Sequence, residues 1–246
     1  MTPTTTSGLD PVKLGRFVSA EHLTGDALAR VHGWFHGAPR RPLVFRDFLR
    51  PEVAEAVGAA LRDLPVWSRC VTAFRNAQET VEVDEAGWAD RPDRVARHFF
   101  ARPLLDAFEP GRMDERHQAV LKNFISFAVI SDLLRSWLGA GVGFPLEKRT
   151  SVELACYEPG DEIRPHQDLI ENRVIAVNFY LDRDYRPGAG ARLGFRNEEG
   201  REFAVDPLFN SFSLIPIDAS CHHWVEPFAG EGRGRYTVSI GEHRAA

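Results

Sequence analysis

The chain predicts an α+β protein with a mainly β core, a sandwich or barrel of short strands buttressed on one face by helices that precede it. Two observations carry this. Before about residue 150 the apolar residues recur every three or four positions, as on amphipathic helices; beyond it they alternate in short runs between turn signals. Helices first and strands second is the order in which a helical layer covers one side of a sheet. A length of 246 residues suits one sizeable domain. The expected division is a disordered tail over 1–10 and a single domain over 11–246. That domain would have a helical, lid-rich part at 11–149 and a strand-rich core at 150–246.

The first helix is weak and spans Ala27 to Phe35. The second begins at Pro51, a residue suited to a first helical position, and continues through Val53, Val57, Ala60, Leu61 and Leu64. The third runs from Arg116 to Leu138, where Val120, Phe124, Phe127, Ile130, Leu134 and Trp137 form one stripe, and Gly139 would cap it. Between Asp63 and Glu115 the chain is charged, contains prolines and has little periodicity, which predicts loops and a lid.

Seven strands follow: Val152–Tyr157, Val174–Leu181, Arg192–Phe195, Glu202–Val205, Ser211–Ile217, His223–Glu226 and Tyr236–Ile240. Pro159-Gly160-Asp161, Pro187-Gly188-Ala189-Gly190, Glu199-Gly200 and Gly230-Glu231-Gly232 separate them as turns. In Val174–Leu181 one face is Ile175, Val177, Phe179 and Leu181, suited to the helical layer. The other is Val174, Ala176, Asn178 and Tyr180, suited to a pocket wall.

Hydrophobic content of 43% and charged content of 26% are ordinary for a soluble globular protein. A net charge of −5 argues against a basic nucleic-acid surface. Cys70, Cys156 and Cys221 are few, odd in number and unclustered, so they read as thiols in a reducing compartment. The first eight residues lack a secretory signal, and no apolar run approaches the ~18 residues that span a bilayer. A cytoplasmic protein without membrane contact is the expectation.

Chemistry concentrates between Tyr157 and Gly241. His166-Gln167-Asp168 alone is weak, because 9 His and 35 acidic residues make roughly one His-x-acid triplet expected by chance. Residues two apart in an extended segment nonetheless point the same way and can chelate one ion. The tight turn before His166 and the apolar strand after Asp168 favour a site inside a barrel over a surface ion pair. A second imidazole from His222 or His223 would complete two histidines and one carboxylate, a set favoured by non-haem Fe(II) oxygenases. Arg235 shares a strand face with Thr237 and Ser239 and would need an anionic partner, either an internal carboxylate or a small dicarboxylate bound as a planar pair. Ser239 and Tyr180 could add hydroxyl hydrogen bonds. For His22, His32, His36, His98, His117 and His243 the expectation is a satisfied, half-buried ring without a site role.

Taken jointly these residues resemble the Fe(II)- and 2-oxoglutarate-dependent dioxygenases, in particular their prolyl-hydroxylase-like branch, over about Ser151 to His243. The resemblance rests on Tyr157…Gly160, His166-Gln167-Asp168, Arg173…Tyr180-Leu181, Gly188-Ala189-Gly190, His223-Trp224-Val225-Glu226-Pro227 and Arg235-Tyr236. It implies a double-stranded β-helix (jelly-roll, cupin-like) core with Fe(II) on His166, Asp168 and His223. It implies 2-oxoglutarate on Arg235, helped by Tyr180 and Tyr157, with O2 as oxidant. The implied reaction is oxidative decarboxylation of 2-oxoglutarate to succinate and CO2, coupled to hydroxylation of a C–H bond. Asp168 departs from iron halogenases, which have a small residue there. Gly241 departs from nucleic-acid demethylases, which have a second Arg.

A metal-dependent cupin-type enzyme without 2-oxoglutarate, or a non-catalytic binding barrel, are the competing functions. Arg235 is the feature that separates the first of them. Arg164, Glu171, Asn172, Arg173, Asn178 and Arg192 lie near the expected site and suggest a polar substrate. A free amino acid or small molecule is preferred to a protein side chain, and nucleic acid is not expected.

Overall fold

The computed structural model describes residues 9–75, 79–147, 152–170 and 172–245. The expected disordered tail lies almost wholly outside them, as does Glu171. Five α-helices occur among the described residues: α1 (Pro11–Leu14), α2 (Gly25–His36), α3 (Pro51–Arg62), α4 (Glu115–Ile125) and α5 (Leu133–Val142). Their starts follow local chemistry. Thr24 accepts from the Ala27 amide and Asp114 from those of Arg116 and His117, while Pro51 opens α3.

The helix expected over 116–138 is two helices. After α4 a π-helical turn over Ser126–Ile130 closes with the Ser131 amide on the Ser126 carbonyl, and Ser131 turns extended with ψ 162°. Ser131 also donates its hydroxyl to the Phe127 carbonyl, competing with helix continuation. α5 then ends at Gly143, left-handed at φ 85°, so Gly139 lies inside it rather than at its cap. By length and composition alone the stretch Glu115–Val142 could cross a bilayer, but half of its most apolar window is buried in this fold.

Among the described residues thirteen strands form one antiparallel sheet: β1 (Leu43–Phe45), β2 (Trp67–Phe74), β3 (Thr80–Glu82), β4 (Arg94–Ala101), β5 (Leu146–Glu147), β6 (Val152–Tyr157), β7 (Glu162–His166), β8 (Arg173–Tyr180), β9 (Leu193–Arg196), β10 (Glu202–Val205), β11 (Ser211–Pro216), β12 (His222–Val225) and β13 (Gly234–Arg244). Their order is β1-β11-β8-β13-β6-β4-β7-β12-β9-β10, with β2 beside β4, β3 beyond β2, and β5 beside β13. β4 pairs with both β6 and β7, which joins a large wall to a smaller one and rolls the sheet into a nearly closed jelly roll.

The region expected to hold loops and a lid therefore supplies β2, β3 and β4. It has little hydrophobic period because its outward side chains pair with charges rather than with the core. Arg69 and Arg97 both meet the fully buried Asp161, at 2.7 and 2.9 Å. The main core lies on the other side of the large wall. Ile175, Val177, Phe179 and Leu181 are buried there as expected, with the Phe179 ring edge-on to Phe124 of α4 at 5.2 Å.

Candidate active site

β7 and β12 place the metal-ligating candidates. His166 is paired directly with His223, whose ring lies 4.3 Å away, and Asp168 follows two residues beyond. The Asp168 carboxylate lies 3.5 Å from His166 Nε2 and 3.6 Å from His223 Nε2. One donor atom from each of the three lies within 4.8 Å of the others. Gln167, between them, points away and donates to the Ala219 carbonyl.

Two further contacts orient the set. His166 Nδ1 lies 2.9 Å from the Arg164 carbonyl; a carbonyl only accepts, so Nδ1 carries a proton and Nε2 is the nitrogen turned toward the cluster. Arg173 donates to Asp168 Oδ2 at 2.9 Å and lies across Gly241, where a Cβ would come 2.6 Å from its Nε. Any larger residue at 241 would displace Arg173 from the carboxylate. Burial acts to raise the Asp168 carboxyl, but the two histidines outweigh it and hold it well below the usual carboxylate range. Burial, then His166, keep His223 below its ordinary value. Two imidazoles and one ionised carboxylate converging from one side fit a divalent first-row metal with open positions.

The adjacent His222 falls outside this cluster. Trp224 packs on Gly194 of β9, where a Cβ would lie 1.9 Å from the indole, whereas Val225 lines the cavity with His223. The strand register thus separates the two histidines as alternation predicts.

The cavity has a volume of about 480 Å³. Its walls are Glu153 and Tyr157 of β6, Arg173, Ala176 and Asn178 of β8, Arg235 and Ser239 of β13, and His166, His223 and Asp168. β4 adds Ala96, His98 and Phe100 on its inward face. Arg235 is buried, 3% exposed, at a bulge in β13 with φ 50°. Asp182 holds the bulge by accepting the Arg235 amide at 2.6 Å. The guanidinium donates to the Ala191 carbonyl at 2.7 Å and to Thr237 Oγ1 at 3.3 Å, and lies 4.7 Å from the Tyr157 ring centroid. No carboxylate lies within 4.0 Å of it among the described residues, so the internal salt bridge left open by the sequence is not made. A buried guanidinium with only neutral acceptors fits a small anion. Burial pushes the Tyr157 phenol up to about 12 against the opposing charge of Arg235, so it remains a donor.

The remaining candidates sit differently. Tyr180 is fully buried, off the cavity wall, and its hydroxyl meets Ser213 Oγ at 3.1 Å. Ser239 lines the cavity but donates to Asn178 Oδ1 at 2.7 Å, four residues along β13 from Arg235, about 13 Å of strand. Arg192 is engaged with Glu226 by two bonds of 2.7 and 2.9 Å, and Arg164 and Asn172 are off the cavity wall. His22, His36 and His117 have polar partners. His98 departs from the expectation: it is 2% exposed and neither ring nitrogen has a partner among the described residues. Burial and then the charge of Arg235 hold it down to about 3, so the ring is neutral. Period-two reading of Ala96, His98 and Phe100 was the available signal for it.

Residues 152–240 match the family model of the 2OG-Fe(II) oxygenase superfamily. No curated protein matches the sequence. Among solved structures, a Pseudomonas putida prolyl-4-hydroxylase is 17% identical, with 89% of this chain and 99% of that one covered and a TM-score of 0.57. A Trichoplax adhaerens prolyl hydroxylase, solved in complex with a hypoxia inducible factor oxygen degradation domain peptide fragment, is 18% identical. There 92% of this chain and 94% of that one are covered, with a TM-score of 0.62. The non-heme alpha ketoglutarate dependent epimerase SnoN from nogalamycin biosynthesis is 13% identical, over 90% of this chain and 84% of its own, at a TM-score of 0.55. At such identities the structural likeness speaks for the fold. With the His-Asp-His cluster beside it, the family match makes residues 152–240 a 2OG-Fe(II) oxygenase domain, and the chain carrying it is a 2-oxoglutarate-dependent non-haem iron dioxygenase, with Fe(II), 2-oxoglutarate and O2 as its cofactors.

Proposed function

We propose that His166, Asp168 and His223 hold Fe(II), that Arg235 seats the distal carboxylate of 2-oxoglutarate, and that the enzyme hydroxylates an unactivated C–H bond of a polar small molecule or amino acid. The observation that carries this is a shared cavity: the three donors and a buried guanidinium without a carboxylate partner open into the same space. Iron, when bound, supplies the redox centre at which O2 is reduced. The reaction balances as follows: 2-oxoglutarate loses CO2 and becomes succinate with one oxygen atom, and the other enters the substrate as hydroxyl. Each of the two organic molecules gives up two electrons.

The protein's own groups bind and orient. The Nδ1 bond to the Arg164 carbonyl presents His166 Nε2 to the metal, and Arg173 fixes the Asp168 carboxylate. Tyr157 offers a protonated phenol beside Arg235 for the bound dicarboxylate. Tyr180 acts at one remove, through its ring near the guanidinium at 5.5 Å, and Ser239 serves the substrate end of the cavity. A cavity of about 480 Å³ falls in the range of small-ligand pockets, which favours a small substrate over a folded protein.

The test is anaerobic reconstitution with Fe(II), then succinate measurement in air. The wild type should hold about one iron per chain and turn over 2-oxoglutarate. Asp168→Ala should lose both, and full activity in that variant would place the metal elsewhere.

A further inference from the structure

Interior side chains of the large wall form rows across neighbouring strands. Ser239 of β13 is in register with Glu153 of β6 on one side and Asn178 of β8 on the other, and Asn178 with Ser213 of β11. Ser239 and Asn178 satisfy each other at 2.7 Å, and Asn178 Nδ2 reaches Ser213 at 3.5 Å. Glu153, at the end of the row, is left over. It lines the cavity, is open to its solvent, and among the described residues has neither a hydrogen bond nor a cation within 4.0 Å.

The other charges of the cavity are spoken for. Arg173 is bonded to Asp168 at 2.9 Å, and Arg102 lies 3.5 Å from Glu82. Arg235 is two rows deeper, at the co-substrate end. Glu153 also feels the Asp168 carboxylate; burial, then that like charge, raise its own carboxyl. Asp168 is held by two histidines and Arg173, whereas the Glu153 carboxylate has no such partner of its own among the described residues and is free to pair with a cationic ligand. Ile170, half exposed on the rim of the same cavity, offers apolar surface for the rest of a small molecule.

We infer that Glu153 is the substrate anchor and that the substrate carries a protonated amine, seated on this carboxylate while the C–H bond to be oxidised faces the metal cluster. The inference rests on the enzyme reading above and narrows its substrate to ammonium-bearing small molecules.

The experiment measures succinate formed by the iron-loaded wild type with the twenty L-α-amino acids, cyclic imino acids and aliphatic mono- and diamines, each beside its N-acetylated form. Stimulating compounds are then titrated against Glu153→Gln and Glu153→Asp, with iron content and circular dichroism reporting an intact site. Free amines should stimulate and their acetylated forms should not. Glu153→Gln should raise KM for the stimulating amine about tenfold to a hundredfold with a smaller change in kcat, as expected for one charge-assisted pair. Glu153→Asp should recover part of that loss. Stimulation by uncharged or acetylated compounds, or an unchanged KM in Glu153→Gln, overturns the inference. So does a wild type that binds iron and turns over 2-oxoglutarate yet answers to no amine. Those results leave the enzyme reading intact, whereas a wild type with neither iron nor 2-oxoglutarate turnover sinks both.

Discussion

The two faces of β8 and β13 each bury an arginine, and the two arginines are treated in opposite ways. On the helix-facing side Arg135 of α5, 6% exposed, is bonded to Asp132 and to the Val129 carbonyl and lies 3.9 Å from Glu242 of β13. On the cavity side Arg235, 3% exposed, has a carbonyl, a hydroxyl and two aromatic rings, and among the described residues no carboxylate at its guanidinium. The first is closed within the protein and holds structure. The second is open, and an open buried charge marks where a ligand completes the fold's electrostatics.

The largest expected contrast lies in the adjacent histidines of β12. His223→Ala should lose iron and turnover together, whereas His222→Ala should keep both and cost at most a little stability. Iron retained in His223→Ala but lost in His222→Ala would reverse the register. Next is the outer face itself. Phe179→Ala removes a ring packed among Phe48, Phe124 and Phe212 and should cost about 3–5 kcal/mol in denaturant unfolding, while folded protein still binds iron. Loss of iron at full stability there would mean that the two faces are not separable.

Arg235→Ala should do the reverse, raising KM for 2-oxoglutarate by the roughly 1.5–3 kcal/mol of a charge-assisted pair and leaving the melting temperature close to wild type. Arg235→Lys, with charge but no planar fork, should fall between. An unchanged response to 2-oxoglutarate in both variants would remove Arg235 from the co-substrate site. The last contrast concerns Glu242, whose carboxyl burial pushes up to about 7 against the pull of Arg135. A folded-state value above the unfolded one means that its contribution is present below about pH 4.5 and is lost as pH rises through 7. Wild-type melting temperature should therefore decline between pH 5 and 8, and Glu242→Gln should flatten that slope. Parallel slopes would show that Glu242 titrates normally.

Much of the inner face was legible because strand chemistry has a period of two. His166 and Asp168 two apart, Ala176 with Asn178, and Arg235 with Ser239 all reach the cavity from that rule. The same rule applied from Tyr157 backwards places Glu153 there. Depth was not legible. Tyr180 has the right parity, but its hydroxyl is taken by Ser213, 33 residues away, a partner that only the β8–β11 register brings near. Nor were β2 and β4: their outward arginines answer Asp161 in a later turn, so the charge that hides their periodicity makes sense only once the sheet has closed. The break between α4 and α5 was signalled by Ser131-Asp132 but outweighed by an apolar stripe that continued across it.

The place of β13 has a consequence for how the molecule comes into being. It follows β6 and β8 in the chain yet lies between them, so a growing chain makes both neighbours before the strand that joins them. Until Gly234–Arg244 arrives, β6 and β8 have no shared lane, and every pairing they later make with it is long-range in sequence and slow to find. The histidines and Asp168 are synthesised before Arg235 and are gathered around a space that does not yet have a floor. A nascent chain stalled before Gly234 would carry His166, Asp168 and His223 with the large wall divided in two and the facing edges of β6 and β8 free to pair with another chain.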